Sequence, residues 1–361
     1  MMMENRVKVA VVGTGAIGRS AHIPGYLSCP SAELVALVDT DASNVNRARR
    51  EVEESTGRTV ATFERLDELL ESRLAEAVSI AVPNVWHVVL AEQALRAGLH
   101  VLIEKPMALT NEEAQRLKQV ESEQNLVAMV GQTHRYREDV TALKRFIDNG
   151  ALGSIYHAEA RILRRRGTPT GWFTKRAISG GGPLMDIGVH ALDLAWWMMG
   201  RPQPHWVLGH LVRAIGNDKP HFTERWTAQM PGNEGNEIYD TEDFATAFIR
   251  FHSGATLQLT ASWNVNGAED DRILVNLYGS RGGISLDPPT LYGIEQNVLT
   301  TTQIPVGMGA AHRLEIEHFV ESILSHRCPK SPIGDGVAVT AMLVAIAQSS
   351  EQERAVEIVA T

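Results

Sequence analysis

The chain has 361 residues, 44% of them hydrophobic and 21% charged, with a formal charge of −9. That length exceeds what one hydrophobic core organises, so two domains are expected. The acidic balance argues against a nucleic-acid partner, and no apolar run read from the sequence approaches the ~20 residues that span a bilayer. Met1–Asn5 lead straight into a strand-like run, which leaves no room for a signal peptide. The two cysteines, Cys29 and Cys328, fit neither a disulfide framework nor a zinc motif. A cytoplasmic protein with no metal and no membrane partner is the expectation.

In chain order, the first third alternates short apolar runs with helical patterns. Val7–Val12, Leu34–Val38, Val78–Val82, His100–Ile103 and Leu126–Val130 are rich in Val, Ile and Leu, as strands buried on both faces of a parallel sheet should be. Ser43–Glu54, Val85–Ala97 and Asn111–Glu123 carry apolar residues at helical spacing. Gly98 sits where a helix C-terminal glycine belongs, and Thr110 with Glu113 reads as a capping box. The alternation predicts a doubly wound α/β domain over residues 1–133.

From residue 134 to 361 the pattern changes. A helix over Asp139–Asp148 is followed by strand-like Ile155–Leu163, Phe244–Phe251, Thr256–Trp263 and Ile273–Tyr278, with turns such as Ser253-Gly254 between them. Helices are predicted over Val189–Met199, His312–Ser325 and Val337–Ser350. The expected second domain is α+β, with a mostly antiparallel open sheet. The polar stretch Asn217–Asp240 reads as a long loop.

Val9–Val12 lead into Gly13-Thr14-Gly15-Ala16-Ile17-Gly18, an intact G-x-G-x-x-G between a predicted strand and a predicted helix. Gly13 permits the tight turn, Gly15 lets backbone approach a pyrophosphate, and Gly18 permits close helix–strand packing. The helix N-terminus offers unpaired N–H groups to the anion. Asp39 closes the second strand about twenty residues on, where ribose hydroxyls are recognised. Its charge favours NAD over NADP, although Arg47, Arg49 and Arg50 leave NADP open. The bland alternative is a glycine-rich turn beside a solvated aspartate.

Ile103-Glu104-Lys105-Pro106 closes the fifth parallel strand. Ligands of open α/β sheets bind at the carboxyl ends of strands, which places Lys105 near the nicotinamide. A lysine there can stabilise charge developing on a substrate oxygen. A surface lysine with its stem along apolar atoms is the plainer reading. Further on, Asp186 and His190 stand four residues apart at a helix entry, behind Gly180-Gly181-Gly182, whose small size would let backbone approach a ligand. The pair suits proton transfer, but spacing alone fits a helix N-terminal acid and a buried, hydrogen-bonded histidine better. Asp193, one turn later, is a candidate structural partner.

Together, Gly13–Gly18, Asp39, Glu104-Lys105-Pro106 and the run Gly180–His190 resemble the glucose–fructose oxidoreductase, inositol dehydrogenase and MocA family. The resemblance implies a nicotinamide-dependent dehydrogenase acting on a sugar, inositol or related polyol, with Lys105, Asp186 and His190 as the catalytic set. It also implies a homodimer or homotetramer. It puts the Val82-Pro83-Asn84 loop, His87, Glu104, Lys105 and Gln132 at the cofactor beside Gly13, Thr14, Gly15, Ala16, Ile17, Gly18 and Asp39. Gln132-Thr133-His134-Arg135 departs from the family's usual sequence at that point, which puts the substrate in doubt. Arg135, Tyr136, Arg164 and Trp172 are candidate substrate groups; Trp196 and Trp197 fit packing better. Two alternatives share these motifs, namely a glycosidase using NAD only transiently and a non-catalytic sensor of NAD or sugar.

Overall fold

The computed structural model describes residues 6–169, 171–216, 238–268 and 271–359. Positions 217–237 of the expected long loop therefore lie outside the described residues. The chain divides into two compact units, one of Met1–Thr133 with Ala310–Val337, the other of His134–Gly309 with Ala338–Thr361.

The first unit is built on a six-stranded parallel sheet in the order β3-β2-β1-β4-β5-β6. Its strands are β1 (Val7–Val12), β2 (Ala32–Val38), β3 (Ala61–Phe63), β4 (Ala77–Ile80), β5 (His100–Glu104) and β6 (Ala128–Gly131). The apolar runs of the sequence are these strands: β4 and β6 are buried at every position, and β1 at all but one. Helices Ala42–Thr56, His87–Arg96 and Asn111–Glu123 follow β2, β4 and β5. Thr110 caps the last of them, its Oγ1 accepting from Glu113 N at 3.2 Å. Gly98 closes the one before it at φ +87°.

Residues 310–337 join this unit, and within them Ser331 and Pro332 pair with the free edge of β6. Val130 N donates to Ser331 O at 2.9 Å, and Ser331 Oγ donates back to Val130 O at 2.7 Å. Glu315 on helix Ala311–Ser325 accepts from Thr133 Oγ1 at 2.8 Å, and Ile316 packs where Gly25 has no side chain.

The second unit carries nine strands in the order β14-β13-β12-β11-β7-β10-β9-β8-β15. They are β7 (Ile155–Leu163), β8 (Pro204–Val212), β9 (Phe244–Phe251), β10 (Thr256–Ser262), β11 (Arg272–Gly279), β12 (Gly283–Ser285), β13 (Thr290–Glu295), β14 (Val298–Gln303) and β15 (Val356–Glu357). All neighbours pair antiparallel except β7 with β10, which run parallel. Burial alternates along β9 and β11, as it must when one face meets a core and the other does not. Helix Val189–Met198 packs on β7, β10 and β11 and is buried almost all round, which suits its nearly continuous apolar sequence.

One expectation needs correcting. Helix Ile333–Gln352 is long and apolar enough to cross a membrane by length and composition, yet 61% of its most apolar eighteen residues is buried. Met342, Leu343 and Ile346 are wholly inside the second unit's core. It is a core helix. Gly334-Asp335-Gly336 interrupts the apolar run, so the sequence alone shows a shorter segment.

Candidate functional site

In the first unit, β1 ends at Val12 and the chain turns at Gly13, whose N–H donates to Val38 O at 2.8 Å. Gly13 has φ +93°, and a Cβ there would stand 2.3 Å from Ala81 O. A Cβ on Gly18 would stand 2.1 Å from Gly13 O. Neither position has room for a side chain. Gly15 differs: a Cβ there meets nothing within 4 Å, so the loop is tight on its protein side and open at its middle glycine. That is the shape a pyrophosphate cradle needs.

Asp39 has two jobs here. Its Oδ2 accepts both the backbone N–H and the hydroxyl of Thr14, each at 2.8 Å, while Oδ1 accepts from Asp41 N at 2.9 Å. The acid therefore braces the loop, and Oδ1 keeps a lone pair for a further donor. Thr14 is fully buried, so it serves the loop through its backbone, with its side chain committed to Asp39. Ala16 is exposed and Ile17 half-buried beside it.

At the end of β5, the Lys105–Pro106 bond is cis and the Lys105 side chain is half-buried. Val82 and Pro83 are half-buried and Asn84 buried at the neighbouring end of β4. His87 and Glu104, expected at the cofactor, are buried, 1% and 6% exposed. His87 lies 2.8 Å from Pro106 O through Nδ1 and 2.9 Å from Val82 O through Nε2, tying two strand-end loops together from behind. Burial holds it below the usual imidazole range. Glu104 meets His22 Nε2 at 2.9 Å and accepts from Lys105 N at 3.2 Å. Burial pushes its carboxyl up, but the His22 contact and the Lys105 charge outweigh that, and the net shift is downward. Gln132 is also buried, its N–H given to Val130 O.

In the second unit, a π-helical turn over Leu184–Gly188 carries Asp186 into helix Val189–Met198, which begins one residue before His190. Such turns recur at functional sites. Asp186 Oδ2 accepts from the indole Nε1 of Trp263 at 2.9 Å, and Arg164 stands 3.9 Å away. His190 meets the ring of His134 edge-on at 4.8 Å between centroids. Trp263 was missed as a site residue because it lies 77 positions from Asp186, beyond the reach of any spacing rule.

The four substrate candidates have these surroundings. Arg135 is fully buried, with Nε and Nη2 on the two oxygens of Asp193 at 2.8 and 2.5 Å and its guanidinium over Trp197. A charge that deep persists only because it is paired. Tyr136 is likewise buried, at 3% exposure. Arg164 gives Nε to Asp271 at 2.7 Å, and Arg166 holds Val265 O and Asn266. Trp172 is half-buried and stacks on Phe173 at 3.9 Å. Two of the glycines before Asp186 are closely packed. A Cβ on Gly182 would stand 2.1 Å from Glu242 O, and one on Gly181 would meet Met185 at 3.0 Å.

Residues 7–132 match the oxidoreductase family with an NAD-binding Rossmann fold, and residues 140–285 match the GFO/IDH/MocA C-terminal domain. The chain belongs to the Gfo/Idh/MocA family. Its first unit is the family's nucleotide-binding domain and NAD its cofactor, which the crowded Gly13 and Gly18 and the open Gly15 fit. D-Glucoside 3-dehydrogenase of Escherichia coli is 30% identical over 360 residues, 99% of each chain. Levoglucosan dehydrogenase of Pseudarthrobacter phenanthrenivorans is 27% identical, over 78% of this chain and 73% of that one. A solved levoglucosan dehydrogenase in complex with NADH superposes with a TM-score of 0.85 at 22% identity, covering 98% of this chain and 99% of that one. At that identity it shows the common fold.

Proposed function

We propose that this Gfo/Idh/MocA protein oxidises a secondary hydroxyl on a neutral sugar ring, a glucoside first, and reduces the ketone in reverse. One observation carries the reading: a nucleotide cradle open at Gly15, in a chain that aligns over 99% of its length with a D-glucoside 3-dehydrogenase. When bound, NAD supplies the hydride acceptor. The chain supplies the rest. The Gly13–Gly18 loop and the helix after it present N–H groups to the pyrophosphate. Asp39 Oδ1 accepts from a ribose hydroxyl and sets its charge against a 2′-phosphate. Lys105 donates to the substrate oxygen as negative charge grows there. His190 accepts the hydroxyl proton, and Asp186, steadied by Trp263, accepts a hydrogen bond from a sugar hydroxyl or from His190.

The preference for a neutral sugar rests on charge. A carboxylate at Asp186 welcomes hydroxyl donors and repels phosphate, while Arg164 and Arg166 already serve Asp271, Val265 and Asn266. With NAD, the protein is expected to turn over methyl β-D-glucopyranoside and levoglucosan, followed at the nicotinamide absorbance band, ahead of glucose 6-phosphate. Turnover confined to the phosphate would reject the neutral-sugar reading. Glycoside cleavage without accumulated NADH would replace it with the transient-redox reading. NADH should bind more tightly than NADPH by calorimetry; if neither binds, the nucleotide reading is lost.

We also propose a homo-oligomer, through the outer face of the second unit's sheet. Leu208, Phe248, Tyr278 and Tyr292 stand exposed there on four of its strands, an apolar row that a second copy would cover. Light scattering is expected to give a multiple of the chain mass, and a monomeric mass would exclude this.

A further inference from the structure

Behind the end of β5 lies a chain of polar side chains that the scheme above does not use. The Tyr26 hydroxyl is 2.6 Å from Ser79 Oγ, Ser79 Oγ is 3.1 Å from His22 Nδ1, and His22 Nε2 is 2.9 Å from Glu104 Oε1. None of the four is more than 6% exposed. His22 sits at the end of a π-helical turn, Gly18–His22, directly after the nucleotide loop. Gly131 makes room for the carboxylate, since a Cβ there would stand 3.1 Å from Glu104 Oε1. The other carboxylate oxygen accepts the N–H of Lys105. The chain therefore ends on the residue assigned to the substrate oxygen.

The direction of the hydrogen bonds follows from the acceptor at the end. An ionised Glu104 only accepts, so His22 Nε2 carries a hydrogen. Nδ1 then accepts from the Ser79 hydroxyl, whose oxygen accepts from Tyr26. The titratable groups acting on Glu104 are His22, Lys105 and His87, and His312 on helix Ala311–Ser325 feels the same cluster. Around Tyr26 the charged neighbour is Glu315. Keeping a charge this deep is a poor way to hold a fold, because buried ion pairs exchanged for apolar residues of like volume often leave stability unchanged or raised.

We infer that His22 is a positioning residue for the reaction: through the Tyr26–Ser79–His22 chain it fixes the buried Glu104 carboxylate, which holds the Lys105 backbone. This rests on the assignment of Lys105 above. The first test uses Glu104→Gln, which keeps the shape and one acceptor but removes the charge. With methyl β-D-glucopyranoside, kcat is expected to fall about 10- to 100-fold, while NADH affinity by calorimetry and the thermal midpoint stay close to those of the unaltered protein. His22→Leu should lose a similar factor. His22→Gln, which keeps an N–H for Glu104, should recover most of it. In a Lys105→Ala background neither Glu104→Gln nor His22→Leu should lower kcat further.

The same loss in both backgrounds, or NADH affinity and midpoint of Glu104→Gln falling together with kcat, would show mere structural support and overturn the inference. Lys105→Ala turning over like the unaltered protein would remove the Lys105 assignment itself, and that is seen without touching His22 or Glu104. Independently of turnover, side-chain ¹⁵N shifts of histidine-labelled protein should place the His22 hydrogen on Nε2. A hydrogen on Nδ1 alone would break the chain as drawn.

Discussion

Replacing Lys105 with alanine is expected to lower kcat for methyl β-D-glucopyranoside by about 10²- to 10³-fold, the range for losing one donor to a developing oxyanion. NADH affinity and stability should change little. The local backbone is held by groups other than the lysine's own amine: Glu104 takes the Lys105 N–H, and His87 lies 2.8 Å from the Pro106 carbonyl. Truncating the side chain removes a donor and leaves the cis-proline turn fastened on both sides. Lys105→Arg should rescue little, because a planar guanidinium fork cannot take the place of a compact ammonium at a single oxygen. Steady-state kinetics with calorimetry decides the matter. A folded Lys105→Ala protein that has lost NADH would make Lys105 a cofactor-binding or structural residue, and the reaction scheme would need another donor.

The value of that experiment depends on how much the sequence had already settled. The strands of the first unit were legible because a parallel strand covered on both faces must be apolar throughout, and Val7–Val12 or Val78–Ile80 admit few other readings. The family motifs were legible for a related reason: each is a local run whose backbone demands are written in its own glycines. β3 was invisible, since three residues, Ala61–Phe63, carry no period. β8 begins at Pro204 and includes Gly209, two residues that argue against a strand. That glycine is needed because a Cβ on it would stand 2.6 Å from Ile346 O, a contact 137 positions away.

Burial was the main thing the sequence withheld. Arg135, Glu104 and His87 look like ligand-binding groups when read along the chain, since charged side chains are seldom buried unless paired. Their partners lie far off in sequence: Asp193 for Arg135, His22 for Glu104, the Pro106 carbonyl for His87. Those pairs hold Arg135, Glu104 and His87 inside the protein. Asp186 shows the reverse. It was singled out by resemblance, but its indole partner Trp263 sits at the end of a strand where tryptophan reads as core. The return of residues 310–337 to the first unit has the same origin, because edge pairing of Ser331 with Val130 leaves no mark on local composition.

The glycine loop offers the sharpest test of which features are fold and which are ligand. Gly13→Ala is expected to lose both stability and NADH. A side chain at φ +93° is strained by about 1–3 kcal/mol, and its Cβ would also press into Ala81 O, 2.3 Å away on the backbone after β4. Neither obstacle can swing aside, so the turn must shift, and Thr14 with its two bonds to Asp39 shifts with it. Gly15→Ala should behave differently. Its Cβ meets no protein atom within 4 Å, so the thermal midpoint should hold while NADH affinity falls at least about tenfold, the space being the cofactor's. Calorimetric NADH titration and thermal unfolding of both variants make the comparison. If Gly15→Ala binds NADH as the unaltered protein does, the open space at Gly15 is not where the pyrophosphate lies. Equal loss of stability in both variants would mean that the glycines are needed only for the turn.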